Sequence, residues 1–496
     1  MRDANTNQGR GRNGSDPRRG VRASAVLAAP RFIGCDDVIV RSLQDDASAC
    51  RPGDVFVARL GDEADGHEAV NRAIAAGASA VIAERMVATD GVPLCLVPDA
   101  DWALARLAHA LAGDPSREMR VIAVAGTSGK TTTAWLAAAV LAEAGLRVGV
   151  LSDLGCLGPD DAEAEHDDVS RPQVLARWLA RLATAGCSHA IVEVSSRMLA
   201  AHATAGMACD TVVATNLATA HLDRHGTGRA YREVTTRIME TLVDDGCLVT
   251  AARPRHRRRL LAAAPAAATC LTAGIAPGAD VWARAIEGSR FGRTFLLGAG
   301  GQMVPVTVDT PTVPFVRDAA LAAAVGTRFG VPFETAARGI EAAGCVPGRM
   351  ERIDRGQDAP VFIDTPSSLH AVTATLASLR RLTPGRLAVI ADERVAAGLG
   401  GRAFAARVRR SSDVCLVVPA SVAADDPSSA DIAAYARVDR LLASLGRDDC
   451  AVVLGNPAGG SGPRGPQGRP ATLVALVDGW LQLAHPPAAP FRRRAA

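Results

Sequence analysis

The sequence predicts an α/β protein of three domains. These are a small α/β domain over residues 22–117, a central mononucleotide-type domain on a parallel sheet over 118–345, and a C-terminal doubly wound, Rossmann-like domain over 346–485. Three observations predict it. The chain has 496 residues, enough for about three cores of ordinary size. Apolar runs of strand length alternate with helical stretches, the pattern of parallel sheets covered by helices. One run, Val121–Ala125, leads directly into a glycine-rich turn and then a helix, the strand–loop–helix unit of phosphate sites.

Taken in order, residues 1–21 are polar, rich in Gly, Arg and Asn, and without periodicity, so they read as a disordered tail; residues 486–496 form a second one. From Arg31 to about Ser116 the runs Val55–Val57 and Ala80–Ile82 alternate with helical segments such as Glu68–Ala76. In the central region Thr131–Ala144 is helical with Gly145 as its C-terminal stop, and Val148–Leu151, Ala190–Val194 and Thr211–Thr215 are further buried strands. Beyond Pro347-Gly348, the strands Val361–Ile363, Leu387–Ile390, Val414–Val418 and Ala451–Leu454 are separated by the helices Ala371–Leu382 and Ala403–Arg410. The Gly/Pro-rich stretch Asn456–Pro470 is a loop.

Composition narrows the function classes. Hydrophobic residues make up 48% and charged ones 22%, as in a soluble globular protein, and the net charge of +3 leaves no nucleic-acid footprint. Eleven dispersed cysteines, with no CxxC pair and no Cys/His cluster at zinc spacing, read as reduced thiols and hence a cytoplasmic protein. The longest apolar window, Ala134–Leu151, is broken by Glu143 and Arg147, so no membrane span is expected. The run Ala25–Ala29 is too short for a signal-peptide core.

The turn after Val121–Ala125 is "GTSGKTTT", Gly126–Thr133, and Lys130 is the only lysine among 55 basic residues. Small residues let successive backbone N–H groups face an anion, and the helix N-terminus adds its positive dipole end. Lys130 is spaced to reach β- and γ-phosphates and the Thr131 hydroxyl to ligate Mg²⁺. Val124 stands where the longer phosphate motif has its first glycine, so this is the shorter Gly-Thr-x-Gly-Lys-Thr form. Glu193 ends a buried strand, where a carboxylate has few reasons to be unless it meets a metal or a helix terminus.

That loop resembles the one in the Mur ligases, and further stretches point to the MurE branch, the UDP-N-acetylmuramoyl-tripeptide synthetases. "RPGDVFVA" (Arg51–Ala58) and Asp65–Arg85 are similar to that branch's N-terminal substrate domain. "VEVSS" (Val192–Ser196), "TNL" (Thr215–Leu217), "HLDRHGT" (His221–Thr227) and "VPGRME" (Val346–Glu351) follow in the family's order. The resemblance implies a UDP-sugar domain, a central ATP-binding domain and a C-terminal ligase domain in a monomer. It implies ATP and Mg²⁺ as cofactors, with a UDP-N-acetylmuramoyl-peptide and an amino acid as reactants. Carried over by motif, Gly126, Thr127, Ser128, Gly129, Lys130, Thr131, Thr132, Asn216 and Arg349 bind the nucleotide. Thr131, Glu193 and His221 ligate metal, and Lys130, His221 and Asp364 are catalytic.

Departures accompany the matches. The family's carbamylated lysine, which bridges to a second metal, falls on Thr235, and no other lysine exists to replace it. The adenine-contacting Phe-Asn-x-x-Asn stretch reads "FVRDA" (Phe315–Ala319); the uridine-contacting Asp-Ser-Arg reads Asp46-Ala47-Ser48; a substrate-contacting Thr-Thr-Pro reads Ser170-Arg171-Pro172; Arg197 replaces a histidine. In the C-terminal region "DTPSSL" (Asp364–Leu369), "ADERV" (Ala391–Val395) and "GNPAGG" (Gly455–Gly460) stand where the family has other motifs, and "PASV" (Pro419–Val422) stands where its amino-acid-gripping motif belongs. Two readings stay open: an ATP-dependent ligase joining an amino acid to UDP-N-acetylmuramoyl-L-Ala-D-Glu, and a catalytically inactive nucleotide-binding paralogue with a regulatory or partner-binding role.

Overall fold

Arg120–Ala125 lies inside a ten-stranded sheet, every residue from Val121 onward buried. The computed structural model describes residues 20–61, 64–161, 164–251, 254–275, 278–419, 429–455 and 473–484. Residues 1–19, 420–422, 456–470 and 486–496, which the sequence reading covers with tails, a loop and altered motifs, lie outside these. The chain divides into two units. One holds the described residues up to Met119 with Asp168–Ala185 and Arg197–Ala208; the other holds Arg120–Asp167, Gly186–Ser196 and the described residues from Cys209 on.

The first unit carries a five-stranded sheet in the order 31–33, 94–96, 80–83, 55–57, 43–44, and a two-stranded pair of Val21–Arg22 with Ile39–Val40. Its core joins Val55, Val57, Ile82 and Cys95 to Leu104 and Leu107 of the helix Ala100–Leu111. Asp99 caps that helix by accepting from the Trp102 amide at 2.7 Å. Asp45 gathers three donors, Arg59 at 2.7 Å, Arg171 at 3.0 Å and Gln173 at 3.1 Å, so the helix Pro172–Thr184 is tied to this sheet by charge-assisted bonds.

In the second unit the ten-stranded order is 155–157, 148–152, 189–194, 120–125, 209–214, 242–250, 269–274, 281–288, 293–299, 302–308. The strands from 148–152 across to 281–288 run parallel, as the fully apolar runs require, since only a sheet covered on both faces uses them. Both edges are antiparallel, which the sequence reading did not foresee; along 303–308 the more buried residues alternate with exposed ones because only one face is covered. The helix Lys130–Glu143 packs under the sheet and ends as expected. Gly145 takes φ +78°, its amide bonds Ala142 O, and the Leu146 amide bonds Leu141 O, the paired closure of a glycine-stopped helix. The helix Val313–Arg328 lies against it, with Val316, Leu321 and Val325 fully buried.

A five-stranded sheet follows in the order 349–353, 361–364, 450–454, 387–392, 414–418, parallel except for its first pair. Phe362, Val389 and Val452 form its core with Leu376 and Phe404 of the covering helices. Among the described residues no helix is long and apolar enough to cross a membrane.

Phe362 is 0% exposed and Met303 is 60% exposed. Phe362→Ala is expected to lower unfolding free energy by about 3–5 kcal/mol, and Met303→Ala to stay within about 0.5 kcal/mol, in denaturant titrations.

Candidate functional site

The amide of Thr133 is the first to bond within its helix, to Gly129 O at 2.9 Å, and no side chain caps the turn before it. The amides of Lys130, Thr131 and Thr132 therefore project from a positive helix end toward whatever occupies the loop. Two glycines make the turn possible. Gly126 has φ +141° and a Cβ there would stand 2.2 Å from Thr215 Oγ1; Gly129 has φ +83° and its Cβ would stand 2.5 Å from Asp318 Oδ2. The turn is clamped from the next strand end: Thr215 Oγ1 and Asn216 Nδ2 donate to Ser128 O at 2.7 and 2.8 Å. Thr127 belongs to the clamp. Its amide donates to Asn216 O, and its hydroxyl donates to Ala218 O and accepts from Tyr231 Oη, each at 3.0 Å.

Lys130 Nζ lies 3.5 Å from Glu193 Oε1, the two side chains 10% and 2% exposed. Parallel pairing sets Glu193 beside Val124, which brings the carboxylate level with the loop. Glu193 Oε2 accepts from the Asp153 amide at 3.2 Å, whereas Oε1 accepts no hydrogen bond. Burial pushes this carboxyl above the usual range, with Asp153 adding to the effect and Lys130 and Arg349 opposing it. Arg349 Nη2 donates to Thr131 Oγ1 at 3.0 Å and approaches Asp153 Oδ2 at 3.8 Å; its Nη1 donates to Thr365 O at 3.0 Å. Asp364, at the end of its strand, accepts from Thr375 Oγ1 at 3.0 Å, and burial raises its pKa against the pull of Arg349.

The donor set fits one Mg²⁺. Glu193 Oε1 is an anionic oxygen stripped of water with only a cation at 3.5 Å for company, and Mg²⁺ takes one or two protein oxygens and fills its shell with water and phosphate. A second ion does not fit. His221, its imidazole pKa lowered by burial and by Lys130, faces no anionic partner from position 235: Thr235 is 3% exposed and its hydroxyl donates back to Tyr231 O at 2.7 Å. No group of three His, Cys, Asp or Glu side chains among the described residues is arranged to hold a metal.

The structure thus brings Ser128–Thr132, Arg349 and Asp364 to the wall of one open cleft of roughly 750 Å³. Glu193 sits behind Lys130, while Gly126, Thr127 and Asn216 build the loop from beneath and do not line the cleft. Sequence reasoning missed Asp153 and the Arg317–Asp318 pair, which do line it. Asp153 had a signal, its place directly after the strand Val148–Ser152. Arg317 and Asp318 lie within the "FVRDA" stretch already noted for its resemblance, but Asp318, which accepts from Arg317 Nε at 3.0 Å, sits beside Gly129 only through tertiary packing.

Comparisons with known proteins bear on this geometry. A model of the Mur ligase family catalytic domain matches residues 40–110, and one of the Mur ligase middle domain matches residues 124–326. The UDP-N-acetylmuramyl-tripeptide synthetase of Roseiflexus sp. (strain RS-1) is 35% identical over 370 residues, 70% of this chain and 71% of that protein. The UDP-N-acetylmuramoyl-L-alanyl-D-glutamate–2,6-diaminopimelate ligase of Bacillus licheniformis is 31% identical over 371 residues, 73% of this chain and 75% of its own. A solved structure of a ligase of that name has a TM-score of 0.64 at 19% identity, covering 90% of this chain and 96% of that one. MurF ligase from Thermotoga maritima in complex with ADP has a TM-score of 0.61 at 19% identity, covering 89% and 98%. At that identity the structural likeness speaks to the fold.

Burial pushes the Asp318 carboxyl up to about 6, against the pull of Arg317. A carboxyl raised in the fold favours folding fully while protonated in both states, and that contribution is lost as pH rises through about 6. Asp318→Asn removes the titration. Its stability relative to the wild type is expected to rise by up to roughly 3 kcal/mol between about pH 4 and pH 7 in denaturant titrations across pH.

Proposed function

The chain belongs to the Mur ligase family, and on that premise we propose that it is an ATP-binding member that no longer carries out ligation. In this reading the amides of Lys130–Thr132 bind the phosphates, Lys130 Nζ orients the β- and γ-phosphates, and Glu193 holds Lys130 in place. Thr131 and Glu193 would hold one Mg²⁺, which when bound neutralises phosphate charge. Asp364 and Arg349 complete the wall on the side of the five-stranded sheet. The free state of all eleven cysteines supports a reducing, cytoplasmic setting.

One observation carries the loss of ligation. The Thr235 hydroxyl is buried and committed to its own helix, so the anionic ligand for a second metal is missing where the relatives' motif would supply it. Acyl-phosphate chemistry is mostly charge neutralisation around a transferring phosphoryl group, and losing one transition-state contact costs about 3–4 kcal/mol. The altered "FVRDA" stretch adds to this. Val316 and Ala319, at the two asparagine positions, are fully buried core residues that present no polar group to a base.

A second reading, an active ligase acting on a UDP-N-acetylmuramoyl-peptide and an amino acid, is favoured by Glu193 Oε1, which is buried beside Lys130 and accepts no hydrogen bond, a position suited to a cation. ADP is expected to raise the melting temperature of the wild type, and Lys130→Ala to weaken ADP binding by about tenfold or more. Phosphate release from ATP that requires both UDP-N-acetylmuramoyl-L-Ala-D-Glu and a diamino acid is expected to be absent. Its detection would establish the second reading instead.

A further inference from the structure

Charge is nearly balanced over the whole chain, 55 lysines and arginines against 52 carboxylates, but two stretches of the second unit depart from that balance in opposite directions. Residues 246–279 hold five arginines and no carboxylate, whereas residues 154–167 hold five carboxylates and neither lysine nor arginine. The basic stretch forms the helix Pro254–Ala262, between strands 242–250 and 269–274. Leu260 is fully buried beneath it, while Arg258 is exposed and Arg257 half-buried. Two carboxylates stand near this helix and both are already engaged. Glu233 Oε1 accepts from Arg259 at 3.2 Å and from Arg229 at 2.9 Å, one negative charge shared by two guanidiniums. Asp280, whose charge Arg257 feels, accepts from the Thr272 amide and hydroxyl at 2.8 and 2.7 Å. The helix therefore presents surplus positive charge.

The acidic stretch lies at the opposite edge of the same sheet. Glu165 exchanges both backbone hydrogen bonds with Cys156 of the edge strand 155–157, at 2.8 and 2.7 Å, which fixes its place. Asp160, Glu165 and Asp167 are exposed, and Asp160 pairs with Arg147 at 2.6 Å while its side chain stays 73% exposed. Strand 155–157 is the first of the ten, and 242–250 and 269–274 are the sixth and seventh. At the spacing of neighbouring strands that is roughly 25 Å, too far for the two stretches to meet within one chain. We propose that Arg257 and Arg258 receive Asp160, Glu165 and Asp167 of a second copy of this chain, so that the protein associates head to tail. Guanidinium forks suit carboxylates, and both surfaces already stand outward. Because they differ and lie at opposite edges, the contact is heterologous. Each added copy leaves its own basic helix open to another, so the assembly grows until a ring closes.

Its test is sedimentation velocity of the full chain over a concentration series, at about 20 mM and about 0.5 M NaCl, where exposed charges are respectively felt and screened. The wild type is expected to associate with rising concentration at low salt and to sediment as a monomer at high salt. Two double variants are compared with it, Arg257→Glu with Arg258→Glu, and Glu165→Arg with Asp167→Arg. Each alone is expected to lose at least about tenfold in association constant. An equimolar mixture of the two is expected to associate again, because each restores the charge the other has reversed, a recovery that misfolded chains would not give. A wild type that stays monomeric at low salt overturns the proposal without recourse to any variant. So does association that survives high salt or either double variant, and so does a mixture that stays monomeric. A monomeric wild type that binds poly-L-glutamate, and loses it with Arg257→Glu and Arg258→Glu, overturns the second copy as the occupant and gives the helix to another acidic chain.

Discussion

Two opposite charges sealed together at the end of the parallel sheet, Lys130 Nζ and Glu193 Oε1, constrain everything around them. Removing both from water costs several kcal/mol per ion, and an attraction at 3.5 Å offsets this only while the geometry is kept. The pairing of 189–194 with 120–125 therefore has no freedom to slip. One residue of shift would turn Glu193 to the opposite face of the sheet and leave Lys130 buried alone. The same alignment brings the ends of 120–125 and 209–214 level, which lets Thr215 and Asn216 reach across and hold Ser128. The loop's shape follows from the register rather than from its own glycines alone.

What the sequence made legible was what is local. Val121–Ala125 and Ala190–Val194 read as buried strands because they are unbroken apolar runs, and the helix stop at Gly145 follows from one residue's tolerance of positive φ. The strands over 281–308 were not legible, since a one-sided edge carries mixed residues such as Arg284, Glu287 and Gln302. Nor does sequence position reveal that Asp168–Ala185 and Arg197–Ala208 join the first unit, because their ties, such as Arg171 to Asp45, span more than a hundred residues. The site divides the same way. Gly126–Thr132 announces itself, whereas the contact of Arg349 with Thr131 joins residues 218 apart. Asp318 sits beside a residue that has no side chain to signal the contact.

The altered positions have a common physical character. Val316 and Ala319 pack into the core, where a buried amide would need hydrogen-bond partners. Thr235 closes its hydroxyl on Tyr231 O, four residues back, which satisfies it without any ligand. Around it the helix Gly228–Thr236 still has work. Tyr231 reaches Thr127 and, through it, Ala218, so the helix braces the phosphate loop. At these positions the groups present bond inward, to the core or to their own helix.

The five-stranded sheet also reaches the phosphate loop. Arg349 and Asp364 lie on its strands and Ser367 in the loop after Val361–Asp364, and Arg349 and Ser367 bond directly to the phosphate loop, at Thr131 Oγ1 and Thr127 O. Arg349 offsets the burial of Glu193 and of Asp364 at once, although one carboxylate belongs to each sheet. A displacement that separated the sheets would take that charge from Glu193, leave it beside Asp364, its register partner, and reopen Thr131. The electrostatics of the loop and the position of the five-stranded sheet are therefore coupled through Arg349, and a ligand that replaces Arg349 on Thr131 must supply positive charge to Glu193 to do so.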